Sequence, residues 1–105
     1  NVLNPFTPFG DASLMRMANL YANIAQLGTP DDLQTVFDMV CAQAERLLGR
    51  QPATIAAGAP ANVVLFDAET PAEAVATAAP TLAGWRNGTM TFERPRPRLF
   101  CSPRT

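Results

Sequence analysis

The sequence predicts an α/β fold in which two helices precede a strand, a short helix and a two-stranded hairpin. Three observations carry this. Apolar residues recur at helical spacing through residues 11–48. Val63-Val64-Leu65-Phe66 is a continuous apolar run of strand length, closed by Asp67. Asn87-Gly88 separates segments 81–86 and 89–94, and this is the pair a tight hairpin needs, because both turn residues take positive φ.

The elements follow in order. Residues 1–10 contain Pro5, Pro8 and Gly10 and read as an irregular loop, with Phe6 and Phe9 as wall residues. Asp11 or Ser13 caps a first helix over 11–27 that Gly28 ends. Its expected buried face is Leu14, Met17, Ala18, Tyr21, Ile24 and Ala25, with Met17 in the core and Met15 and Met39 touching neighbouring helices. The second helix covers 29–48, with Thr29 as N-cap, Pro30 at N1, and Asp31 and Asp32 complementing the positive end of the dipole. Leu33, Val36, Phe37, Val40, Ala44 and Leu47 form its stripe, and Gly49 stops it. In the linker 50–62, Gly58 and Pro60 mark a tight turn. Thr70-Pro71-Ala72-Glu73 is a capping-box sequence that starts a short helix to about Ala79, ended by Pro80. Strands over 81–86 and 89–94 close the hairpin, and no internal repeat is present.

Composition sets the bounds. With 105 residues, 48% hydrophobic residues and a mean hydropathy of +0.02, the chain suits one small globular domain. No apolar run has the length of a bilayer span, and the N-terminus carries no signal-peptide pattern. The first residue is not Met and lies in a loop, so the expectation is a piece of a longer protein. Three strands and one short helix also make a thin layer that needs a partner, which points the same way.

All eight basic residues are Arg. Residues 1–85 hold three of them against eight acids, whereas 86–105 hold five against one. Arg94-Pro95-Arg96-Pro97-Arg98 favours an extended tail packing on its own protein. Nucleic-acid binding is not expected, and the net charge of −1 gives it no support. Two cysteines sixty residues apart do not make a disulfide scaffold. Cys41 reads as a buried free thiol in a helix and Cys101 as an exposed one, consistent with a reducing, cytoplasmic setting. A catalytic cysteine would need a base, and the chain has no His.

Two segments carry a family resemblance. Residues 54–92 read T-I-A-A-G-A-P-A-N-V-V-L-F-D, an Ala-rich helix, then T-L-A-G-W-R-N-G-T-M-T-F. This resembles the C-terminal end of the metal-dependent amidohydrolase superfamily. There a glycine turn, an A-D-L-V-V-x-D strand and a V-x-x-G-x-x-V hairpin complete a small β-domain. Asn62 stands where most members carry Asp, a departure also found in the cytosine deaminase branch. Residues 1–19 are similar to the segment after the last barrel strand of that branch. The loop N-V-L-N-P-F replaces D-x-x-D-P-W, with Asn4 for Asp and Phe6 for Trp.

The resemblance implies a C-terminal fragment of a (β/α)8 TIM-barrel hydrolase plus part of its small β-sandwich domain. Residues 1–49 would be the loop and two helices that end the barrel, 50–94 the C-terminal part of the β-domain, and 95–105 an extended tail. In the family, histidines including an H-x-H pair hold a divalent metal, zinc or iron, and a carboxylate of the last strand binds it and moves protons. This chain has no His and opens just after the expected Asp. The fragment is therefore expected to hold no catalytic residue and to bind no metal, the metal belonging to the full-length protein. Its own acids have other uses: Asp31 and Asp32 in capping, Asp38 and Glu45 on a polar helix face, Asp67 in a turn.

What remains is the opening loop, which would border the substrate pocket. Asn1, Asn4 and Phe6 are the candidate contacts. Asn1 suits a hydrogen bond to an amide or ring nitrogen, and Phe6 suits stacking on a planar heterocycle. The plainer alternative is that Phe6 and Phe9 pack the barrel rim. The implied partners are the remainder of the same enzyme (barrel and N-terminal β-strands) and a small-molecule substrate, with neither nucleic acid nor membrane; a homo-oligomer is compatible with this set. The implied function is hydrolysis of a C–N bond in a nitrogen-rich planar or cyclic compound, the fragment alone being inactive. The alternative is a stand-alone, non-catalytic module that binds a protein through its helix pair or open β-edge.

Overall fold

The computed structural model describes residues 10–52 and 54–101. It holds α1 (Leu14–Ile24), α2 (Pro30–Val40), α3 (Ala42–Leu47), β1 (Val63–Phe66), α4 (Pro71–Ala76), β2 (Thr81–Arg86) and β3 (Thr89–Glu93). The strands form one antiparallel sheet in the order β1-β2-β3. None of the described helices is long and apolar enough to cross a membrane.

The first helix is shorter than its periodicity suggests. Ser13 is the N-cap, its Oγ accepting the Arg16 amide at 3.2 Å, while Asp11 Oδ1 accepts the Ser13 amide at 3.0 Å. Gly28 is not the stop. Gln26 takes the left-handed turn at φ 57°, and the Leu27 amide donates to Ala22 O at 2.9 Å, closing the helix two residues earlier.

The buried face of α1 also differs from the expectation. Met15, Ala18 and Ala22 are buried, whereas Leu14, Met17, Tyr21 and Ile24 are exposed and so is Ala25. The roles of Met15 and Met17 are thus exchanged. The cause is that α1 carries two apolar faces, and periodicity alone favours the one with larger side chains. The small residues Ala18 and Ala22 instead let α2 and α4 approach closely. Val36, Ala74, Val75 and Ala79 complete that core, with Leu33, Phe37, Val40, Phe66 and Ala68 packed around it. Val36 and Val75 are fully buried, each contributing about 1.5–3 kcal/mol by the area it removes from water.

The expected helix over 29–48 is two helices. Its start is as read: Thr29 Oγ1 accepts the Asp32 amide at 3.1 Å and Pro30 opens the first turn. The helix breaks at Cys41, whose φ of −119° and ψ of −98° are not helical. The stripe consequently fails at its far end, where Leu47 is 88% exposed and Ala44 only half-buried. Met39 is exposed rather than packed between helices. Gly49 closes α3 at φ 75°, with the Arg50 amide donating to Glu45 O at 2.9 Å.

The second half keeps closer to its sequence. Half of the expected capping box forms, with the Glu73 amide donating to Thr70 Oγ1 at 3.1 Å, while the Glu73 carboxylate accepts the Glu69 amide at 2.7 Å rather than that of the N-cap Thr70. α4 ends at Ala76 rather than Ala79, because Ala78 turns left-handed at φ 48° and the Ala79 amide returns to Ala74 O at 2.9 Å. Asn87 and Gly88 have φ of 51° and 80°, the two positive values the hairpin needs. Phe66 joins sheet to helices by meeting Phe37 edge-on at 6.3 Å between ring centroids.

Candidate functional site

An open groove of about 850 Å³ lies between the N-terminal turn of α1 and one face of the sheet. Leu14 and Met15 line it from α1, Val64 and Phe66 from β1, and Phe92 from β3. Asp11, Arg16, Asn19, Thr81 and Arg94 add polar groups.

Local pairing shapes that sheet face. Val64, Gly84 and Phe92 are neighbours across the strands. The Phe92 ring lies against Gly84 where a Cβ would sit, with its Cδ1 only 2.9 Å from that position. Glycine therefore lets the ring lie flat across the strand.

Several polar side chains near the groove are engaged in holding the fold. Asn19 Nδ2 donates to Val75 O at 2.8 Å and Ala76 O at 3.3 Å, satisfying the end of α4 from α1. Arg16 meets Asp11 at 3.7 Å, both well exposed, so the pair contributes little. Among the described residues, the groove thus joins apolar side chains with Asn19 and the Asp11 and Arg16 pair. Reading the sequence alone missed Asn19, although an Asn amid the apolar residues of α1 is a visible signal. It also missed Gly84, which stands out as a glycine inside a strand.

The expected pocket contacts Asn1, Asn4 and Phe6 lie outside the described residues. Asp11, a few positions on, lines the groove. The donor set for a divalent metal does not fit here. The chain has no His, and no three His, Cys, Asp or Glu side chains come together among the described residues. Cys41 and Cys101 are both free thiols, half-buried and exposed respectively. Burial pushes the Cys41 thiol pKa up and the nearby Asp38 carboxylate adds to it, the opposite of what a reactive thiolate requires.

No protein-family model and no curated protein matches the chain. Solved structures do. The chain is similar to the 5-methylcytosine deaminase from Klebsiella pneumoniae liganded with phosphonocytosine, at 28% identity and a TM-score of 0.83, covering 96% of this chain and 25% of that one. The same enzyme liganded with 5-fluorocytosine matches at 27% identity and a TM-score of 0.81, with the same coverage. The chain therefore spans about a quarter of the length of the structures it matches.

Proposed function

We propose, from the premise that this chain is a cytosine-deaminase-like portion of an amidohydrolase superfamily chain, that the protein carrying it hydrolyses a C–N bond of a nitrogen-rich planar or cyclic compound. The observation that carries this is the joint match of sequence and fold to a 5-methylcytosine deaminase across nearly the whole chain. That breadth favours an enzyme segment over an independent binding module.

In this reading the chain supplies a wall and a closure. α1 to α3 belong to the end of a (β/α)8 barrel, and the sheet is the C-terminal part of a small β-domain. The second apolar face of α1, with Leu14, Met17, Tyr21 and Ile24 exposed, is the surface on which the rest of the enzyme packs. The metal, zinc or iron, is held by residues outside this chain. Asn1, Asn4 and Phe6 border the pocket: Asn1 orients the substrate by a hydrogen bond and Phe6 stacks on its ring.

Kinetics on cytosine and 5-methylcytosine test the division of roles in the full-length protein. Phe6→Ala lowers kcat/KM about tenfold, as the loss of one stacking contact predicts, with metal content unchanged. Wild-type kinetics in that variant would remove Phe6 from the pocket. A full-length protein that hydrolyses no C–N bond would remove the enzyme assignment itself.

A further inference from the structure

We propose that residues 94–99 act as an electrostatic strap that crosses the end of the sheet and latches onto Asp67, holding the junction of β1 and α4 closed. The proposal is independent of the catalytic reading. Its first anchor continues the ladder beyond β3: the Arg94 amide donates to Leu82 O at 2.7 Å. Its second anchor lies two strands away, where Arg96 Nη2 meets Asp67 Oδ1 at 3.0 Å, just past the end of β1. Arg96 thus reaches toward the β1 side of the sheet from a segment that continues β3. Asp67 is itself fixed, its amide donating to Pro80 O at 2.9 Å.

Sequence and charge fit the role. Pro95 and Pro97 flank Arg96 and restrict the backbone to extended conformations, so little entropy is lost when the strap lies down. Opposite it, Asp67, Glu69 and Glu73 face Arg96, Pro97 and Leu99 across a small cavity of about 410 Å³. The whole chain repeats this polarity, with eight acids in 1–85 and five Arg in 86–105. The Asp67 side chain is one-third exposed and that of Arg96 two-thirds, so salt screens the latch.

Limited trypsin digestion of the full-length protein, mapped by mass spectrometry, reads the latch. Arg94 and Arg96 both precede proline and resist trypsin, which leaves Arg98-Leu99 as the bond that reports tail release. Cleavage there should quicken about two- to fivefold in Arg96→Gln, in Asp67→Asn, and in wild type at high salt. The exchanged pair Asp67→Arg with Arg96→Asp should restore slow cleavage at Arg98-Leu99, scored by mass apart from cleavage at the new arginine before Ala68. Arg96→Gln lies on an exposed tail side chain and leaves the body of the fold untouched, so a misfolded Asp67 variant would not spoil the test. Equal rates in wild type and Arg96→Gln would overturn the strap, as would an exchanged pair that stays fast. Protection that grows with protein concentration would also overturn it, because the latch would then form between copies.

Discussion

Asn62 Oδ1 accepts the Asn87 amide at 2.8 Å, tying the residue before β1 to the first residue of the hairpin turn. Beside it the Gly88 amide donates to Ala61 O at 3.1 Å, so both turn residues are held by the linker that enters the sheet. Opening the turn therefore breaks two bonds to the entry of β1. This gives a physical reason for an acceptor at position 62, where the resembling family carries Asp or Asn.

Asn62→Ala should lower the unfolding free energy of the full-length protein by about 1 kcal/mol, the worth of one lost hydrogen bond. Asn62→Asp keeps an acceptor oxygen and should stay near wild type. Denaturant unfolding of both variants checks this; an Asp variant as weak as the Ala variant would refute the role of the acceptor.

Gly84 and Phe92 form the second dependence. An added methyl at Gly84 drives the Phe92 ring off the strand, and the ring has room to leave because Phe92 is 41% exposed. Gly84→Ala should therefore cost about 1–3 kcal/mol through lost packing. With Phe92→Ala already in place the same change should cost clearly less. Additive costs in this double-mutant cycle would show that the two residues act separately.

Asn19 is the polar link between α1 and α4. Asn19→Ala leaves the carbonyls of Val75 and Ala76 without that donor and should cost about 1–2 kcal/mol. Asn19→Asp should cost more, since it sets a carboxylate against carbonyl oxygens. Amide hydrogen exchange across α4 should quicken in both, and unchanged exchange would contradict the link.

Cys41 carries a pH dependence of defined sign. Its pKa is raised in the folded state, first by burial and then by Asp38, so the fold favours the neutral thiol. The stabilisation is complete below the ordinary thiol pKa and is lost as pH rises through the folded value. Stability should fall on the alkaline side, and Cys41→Ala should flatten that fall. Alkylation at neutral pH should modify exposed Cys101 well before Cys41. A faster Cys41 would contradict its burial.

Local chemistry made the second half of the chain legible. The Thr70 and Glu73 box, the apolar run from Val63 to Phe66 and the Asn87-Gly88 turn each encode their geometry within a few residues. The first half depends on tertiary choice. Nothing in Val40-Cys41-Ala42 marks a helix break, since neither Pro nor Gly is present. The face of α1 is ambiguous because apolar residues surround much of the helix, and the positions of α2 and α4 together select Met15, Ala18 and Ala22. The need for glycine at 84 comes from the Phe92 ring across the strands, which no local pattern encodes. The expected pocket residues Asn1, Asn4 and Phe6 rest on the family resemblance alone, because they lie outside the described residues.

The most direct test of the central claim is ammonia release by the purified full-length protein, supplied with cytosine and 5-methylcytosine before and after metal chelation. Turnover of at least one of these or a close planar analogue is expected, abolished by chelation and restored by zinc or iron. Absence of any hydrolysis product, whether ammonia or a ring-opened compound, from a folded, metal-supplemented protein would contradict it.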